Sequence, residues 1–165
     1  MKNIKNVYVG LSADILHEGH INILKTASQY GNVIVGLLTD EAIASYKNIP
    51  YLDFKKRKVV VENIKYVTKV IPQNTLDYVD NLNLIKPDYV IHGDDWKSGV
   101  QKKTRDRVIK TLKKWSGKLI EPKYTKNISS TEIKNKISNI FSSPNNRVSR
   151  LKRLINSKNI VRILE

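Results

Sequence analysis

Residues 6–30 read NVYVG, then LSADILHEGH, then INILKTASQY, and this stretch decides the fold. Val7, Tyr8 and Val9 form a short apolar run that stops at Gly10, which predicts a buried strand over 6–10. From residue 20 the apolar positions Ile21, Ile23, Leu24 and Ala27 recur at helical spacing, which predicts a helix over 20–30. A strand leading through a short connection into an amphipathic helix is the first half of a βαβ unit.

The same alternation continues outward. Apolar runs predict strands over 33–38, 69–71, 89–91 and 118–120, and helical periodicity falls on 54–66, 75–85, 100–115 and 131–141. Strands alternating with helices of ten or more residues give an α/β fold, with a mainly parallel five-stranded sheet and helices on both faces. In such sheets ligands bind beyond the carboxyl ends of the strands, at the point where the strand order reverses. Functional residues are therefore expected just after the first and fourth strands. No internal repeat interrupts the pattern.

The 165 residues amount to one domain of ordinary size, with 40% hydrophobic residues to build its core. Cysteine is absent, which excludes a disulfide framework and thiolate metal sites. No apolar run approaches the ~18–20 residues of a membrane helix, and the N-terminus lacks a signal core, so a cytoplasmic protein is expected. Thirty Lys+Arg against fifteen Asp+Glu give a formal charge of +15, with a pI near 9.9. That charge invites a nucleic-acid partner. The excess is mostly lysine in a chain rich in asparagine and isoleucine, so it reads as a compositional bias, and no nucleic-acid partner is expected.

Four segments carry chemistry. After the first strand, Gly10, Leu11, Ser12 and Asp14 lead to His17-Glu18-Gly19-His20 at a helix start. Two imidazoles three residues apart share a helix face, and the free amides there attract a phosphate. Gly10 is expected to permit a tight turn out of the strand, and Gly19 a close approach of phosphate to backbone. The alternatives are a cap with incidental histidines or a zinc pair, for which the chain offers only His92 as a further histidine. Near the last helix, Ser129-Ser130-Thr131-Glu132 has capping-box spacing, a sufficient structural explanation, yet it also offers amides and hydroxyls to a polyphosphate. After the fourth strand come Gly93, Asp94, Asp95 and Trp96, where carboxylates can take Mg²⁺ or hold a second substrate. Trp96 reads either as packing or as a cation–π face. Lys47 and the run 55–58, with Arg57, are expected to supply cations to a triphosphate.

Together the segments VGLSADILHEGHINIL, VGLLTDEAIASYK, FKKRKVVVENIKYV, VIHGDDW and ISSTEI resemble the nucleotidyltransferases with an H-x-G-H motif, and within them the glycerol-3-phosphate cytidylyltransferase-like branch. The resemblance covers residues 4–141 and implies a Rossmann-like fold, CTP as substrate, Mg²⁺ as cofactor, and a homodimer. It places His17 and His20 on the reacting α-phosphate, and Ser129, Ser130 and Thr131 on the β- and γ-phosphates with Arg57 nearby. Lys47 falls among the phosphate-binding lysines. Gly10, Leu11 and Lys65 fall near the base, and Asp94 falls at the metal or acceptor side. Lys65 stands where an arginine is common, which loses a planar fork for the base. The stretch 147–165, RVSRLKRLINSKNIVRILE, resembles the opening of phosphoenolpyruvate mutases. The expected organisation is a catalytic domain over 1–141, then a linker and the start of a mutase-like domain over 142–165. The acceptor this implies is 2-hydroxyethylphosphonate or 2-aminoethylphosphonate. Glycerol 3-phosphate or another alcohol phosphate is the main alternative, and a non-catalytic basic binding domain is a third.

Overall fold

A computed structural model describes residues 4–46, 48–123, 125, 128–142, 148–149 and 151–152. The chain divides into two compact units, Met1–Ile128 and Ser129–Glu165. The first contains β1 (Asn6–Leu11), α1 (Glu18–Ser28), β2 (Asn32–Leu38), α2 (Asp40–Ala44), α3 (Phe54–Glu62), β3 (Lys69–Gln73), α4 (Val79–Ile85), β4 (Tyr89–Ile91), α5 (Lys102–Leu112) and β5 (Lys118–Ile120). The second contains α6 (Ser130–Ser142).

The strands form one sheet in the order β3-β2-β1-β4-β5, and every pairing is parallel. The chain moves outward from β1 to β3, then returns to lay β4 against the other side of β1. The β1–β4 seam is thus where the order reverses, and its carboxyl ends open the crevice that such sheets use for ligands. This is the expected α/β architecture.

Alternating residues of β1 serve the two faces. Val7 and Val9 pack with Leu24, Ala27 and Val61 of α1 and α3. Tyr8 packs on the other face with Leu82, Val108 and Leu112 of α4 and α5. Burial on both faces explains why β1 and β2 read as continuous apolar runs. Tyr8 also carries a polar group into the core. Its hydroxyl donates to Gln73 and accepts from Asn81 Nδ2 at 2.9 Å. It lies where a Cβ on Gly36 would be, so Gly36 makes room for it.

Several boundaries differ from expectation for local reasons. The helix expected over 75–85 begins at Val79, because the Thr75 hydroxyl donates to the Asp77 carbonyl and the Asp77 carboxylate accepts from Val79 N, holding a turn. The helix expected over 54–66 stops at Glu62. β3 continues through Pro72 to Gln73, which its edge position tolerates. The short helix α2, capped by Thr39 Oγ1 accepting from Ala42 N at 3.2 Å, was not expected.

Candidate functional site

His17 is the N-cap of α1, and its extended backbone brings the ring over the first turn. Its Nδ1 accepts from Gly19 N at 3.2 Å, and His20 Nδ1 accepts from His17 N at 3.3 Å. The two histidines therefore make a reciprocal capping box, filling the places usually taken by serine and glutamate. An amide N–H can only donate, so each Nδ1 is the acceptor, and the proton of each neutral ring sits on Nε2. Burial pulls the His17 pKa below its ordinary 6.5, favouring the neutral ring. The ring centroids lie 4.0 Å apart, so two charged rings would repel. The arrangement is a pair of neutral Nε2–H donors held at a helix N-terminus. Gly19 earns its place sterically, since a Cβ there would meet His17 Cε1 and Nδ1 at 3.0 Å.

The loop between β1 and α1 is held from below. Ala13 adopts φ 48°, an uncommon left-handed conformation for a residue with a Cβ. Asp14 is buried, and its Oδ1 accepts from Tyr51 N at 2.7 Å, tying this loop to the segment before α3. Arg57 was expected near the phosphates, but its side chain is fully buried. The guanidinium donates to the carbonyls of Ser12, Leu38 and Leu52, and pairs with Asp40 Oδ1 at 2.6 Å. With its fork spent on the carboxyl ends of β1 and β2, Arg57 supports the site from within the protein. Gly10 was expected to permit a tight turn. It lies inside β1, which runs on to Leu11, and the space a Cβ would need holds the Tyr78 hydroxyl.

At the carboxyl end of β4, Gly93 is buried and Asp94 N donates to the Pro122 carbonyl at 3.1 Å. Asp95 is exposed. Trp96, expected on the acceptor side, is 1% exposed, and its indole N–H donates to Glu121 Oε1 at 2.7 Å. Its ring stacks on His92 with centroids 3.9 Å apart and planes 8° from parallel. Arg105 grips Glu121 through Nε and Nη2 at 2.8 and 2.9 Å, which holds that carboxyl below the usual range. Trp96 thus has a structural place beneath His92, and its cation–π reading is replaced by packing. Sequence reasoning missed Glu121 and Arg105, although an acid directly after the last strand of a parallel sheet is itself a signal.

The remaining expected residues fall elsewhere. Lys47 lies outside the described residues, as does most of the stretch 142–165. Lys65 is exposed in the turn before β3, at the amino end of the sheet, with its ammonium over the Tyr66 ring at 5.1 Å. The fold of this unit does not bring it to the carboxyl ends where His17 and His20 stand. In the second unit Glu132 N donates to Ser129 Oγ at 3.1 Å, the expected cap of α6, with Ser130 and Thr131 in its first turn. Among the described residues no group of three or more His, Asp or Glu is arranged to hold a metal. Mg²⁺ asks for less, because it binds through one or two carboxylates with phosphate oxygens and water. The adjacent carboxylates of Asp94 and Asp95 fit that sparse donor set.

Comparison with known proteins adds the relationships. A family model described as cytidylyltransferase-like matches residues 8–136. The ethanolamine-phosphate cytidylyltransferase of Dictyostelium discoideum is 36% identical over 132 residues, covering 77% of this chain and 35% of that protein. The glycerol-3-phosphate cytidylyltransferase of Bacillus subtilis is 35% identical over 100 residues, covering 57% of this chain and 74% of that one. The chain thus spans about a third of the first relative's length. Among solved structures, a lipopolysaccharide core biosynthesis protein from Thermoplasma volcanium superposes with a TM-score of 0.65 at 23% identity, over 74% of this chain and 99% of that one, and shares the fold. With the matched region running from β1 into α6 and containing both histidines, the chain belongs to the cytidylyltransferase-like family.

Proposed function

We propose that the chain transfers a cytidylyl group from CTP to a small acceptor bearing a phosphonate or phosphate group, releasing pyrophosphate. The observation that carries this reading is the reciprocal histidine cap, which leaves two neutral Nε2–H donors at the amino end of α1. An acceptor oxygen attacks the α-phosphorus in line. A new P–O bond forms as the bond to the β-phosphate breaks, and the pair of electrons leaves with pyrophosphate. The acceptor oxygen is already ionised near neutral pH, so no general base is needed. His17 and His20 donate to the charge that develops on the α-phosphate oxygens, and the first-turn amides of α1 add to it. Mg²⁺ held at Asp94 would neutralise triphosphate charge. Lys47 and the Ser129–Thr131 helix start are assigned to the β- and γ-phosphates, and Gly10 and Leu11 to the nucleoside side.

For the acceptor we favour a two-carbon phosphonate ending in a hydroxyl or ammonium, supported by the mutase-like sequence of 147–165. The names of the relatives support a second reading, an alcohol phosphate such as ethanolamine phosphate or glycerol 3-phosphate. On the same reading the chain acts in the cytoplasm as a homodimer, ahead of a mutase domain. The test is pyrophosphate release with Mg²⁺ from CTP, ATP, GTP and UTP, each against both phosphonates and both phosphate esters. Turnover with CTP and a phosphonate supports the reading. Turnover with glycerol 3-phosphate or ethanolamine phosphate alone moves it to the second, and none with any pair refutes both. His17→Ala and His20→Ala are each expected to lower kcat by ~10²–10³.

A further inference from the structure

The fold gathers into one line some of the charge that the sequence spreads along the chain. Residues 102–114 hold seven Lys and Arg and one Asp, on α5 and the turn that follows it. Val108 and Leu112 turn to the core and pack with Tyr8, on the sheet face opposite α1. At 3.6 residues per turn, Lys103, Arg107 and Lys110 project within about 60° of one another, and Lys114 extends the same line just beyond the helix. All four are exposed. The line is about 16 Å long. It borders a hollow of about 260 Å³ beside the start of α4, lined by Asp77, Val79, Arg107, Lys110 and Thr111. Asp77 accepts from Arg107 Nη1, and the arginine side chain is still 67% exposed, so its remaining N–H groups can serve a ligand. Lys103, Lys110 and Lys114 form no ion pair among the described residues.

Like charges held in one line repel, and α5 itself offsets them only with Asp106, which lies 3.9 Å from Arg105. A chain of phosphates relieves that repulsion and releases its own counterions as it binds. We propose that this row is a docking surface for a single strand of nucleic acid, held through its phosphodiester backbone. A flexible single strand can follow a straight row, where the backbone of a duplex curves away. The row carries no aromatic ring on which a base could stack, so binding should not depend on sequence. An anionic membrane fits the surface less well. A plane calls for a broad patch, and the apolar residues that an interfacial helix would insert into lipid are here buried in the core. The helix that carries the histidine cap packs on the other face of the sheet, so the docked strand leaves the nucleotide site open.

The experiment follows the fluorescence anisotropy of a labelled oligo(dT) of about 15 nucleotides as salt is raised from about 50 to 200 mM. One variant combines Lys103→Gln, Lys110→Gln and Lys114→Gln, leaving Arg107 to its pair with Asp77. A control variant removes three exposed lysines from other elements, Lys25→Gln, Lys69→Gln and Lys118→Gln, so both lose the same charge. The row variant should lower the slope of log K against log salt by about 2, at ~0.7 for each lost single-strand phosphate contact. Its binding at about 0.1 M salt should weaken by ~10–10²-fold. The control should shift the slope by under about 0.5, and CTP with Mg²⁺ should leave the strand bound. If thermal unfolding shows that the row variant does not fold, Lys103→Gln with Lys114→Gln carries the test, with a fall of about 1.4 in slope. Equal falls in the two triple variants would trace the binding to diffuse net charge and overturn the assignment. Displacement by CTP would overturn it by placing the strand in the nucleotide site. So would an absence of binding by the wild-type chain at about 50 mM salt, or row-dependent binding to phosphatidylglycerol vesicles without binding to the strand. None of these results touches the proposed transfer reaction.

Discussion

Gly19→Ala isolates the histidine cap with one methyl group. The new Cβ would lie 3.0 Å from His17 Cε1 and Nδ1, nearer than side chains ordinarily approach. The ring must withdraw by a few tenths of an ångström, and the 3.2 Å bond from Gly19 N to Nδ1 is the first to lengthen. Loss of an N-cap bond costs about 1 kcal/mol, which in a chain of this size lowers Tm by ~2–4 °C. Alanine's better helix propensity offsets part of that, so the stability change is small. The chemical cost is larger. A ring freed from its cap no longer fixes which nitrogen carries the proton, and small misplacements of a reacting group can cost about 10²-fold. The expected result is kcat down by ~10–10² with Tm changed by under about 4 °C. Pyrophosphate release and thermal unfolding on the same preparation measure both. A variant with wild-type kcat would refute the claim that the cap sets the tautomer. So would a loss of activity fully matched by unfolding.

Arg57→Met removes a buried cation that serves three carbonyls and Asp40, and is expected to cost about 3–5 kcal/mol in denaturant unfolding. Loss of activity with unchanged stability would make Arg57 a substrate ligand instead. Gly10→Ala drives a methyl into the Tyr78 hydroxyl and should cost about 1–3 kcal/mol by overpacking, seen as a lower denaturation midpoint. The pH dependence follows from His17, whose pKa is lowered in the fold by burial. Between that lowered value and 6.5 the unfolded chain binds more protons, so stability should fall as pH drops through 6.5. Unfolding free energies from pH 8 to 5 should show a shallower slope in His17→Asn than in the wild-type chain.

The architecture was legible because β1 and β2 are buried on both faces and read as unbroken apolar runs. The positions of His17 and His20 were legible for the same reason, since a strand end and a helix start bracket them. Their mutual capping was not, because it depends on ring rotamers that spacing cannot supply. Arg57 illustrates a second limit. A lysine-rich run offers no periodic sign that one member turns inward, and the acceptors that receive it come from three separate segments. Gly10 misled, and Trp96 stayed open between packing and a cation–π face, for a common reason: their partners Tyr78 and Glu121 are 68 and 25 positions away in the chain. Lys65, which the resemblance puts near the base, stands in the turn before β3 at the amino end of the sheet, a position that spacing along the chain does not reveal.

The two-histidine cap also bears on how the chain loses function when warmed. Most helices end on groups that take no part in chemistry, so fraying at a terminus is harmless. Here the bonds that finish α1 are the bonds that aim both donors. Opening one turn costs far less free energy than unfolding the sheet. If the proposed transfer reaction holds, its rate should therefore decline with temperature before the core melts, which pyrophosphate release and thermal unfolding on one preparation would show.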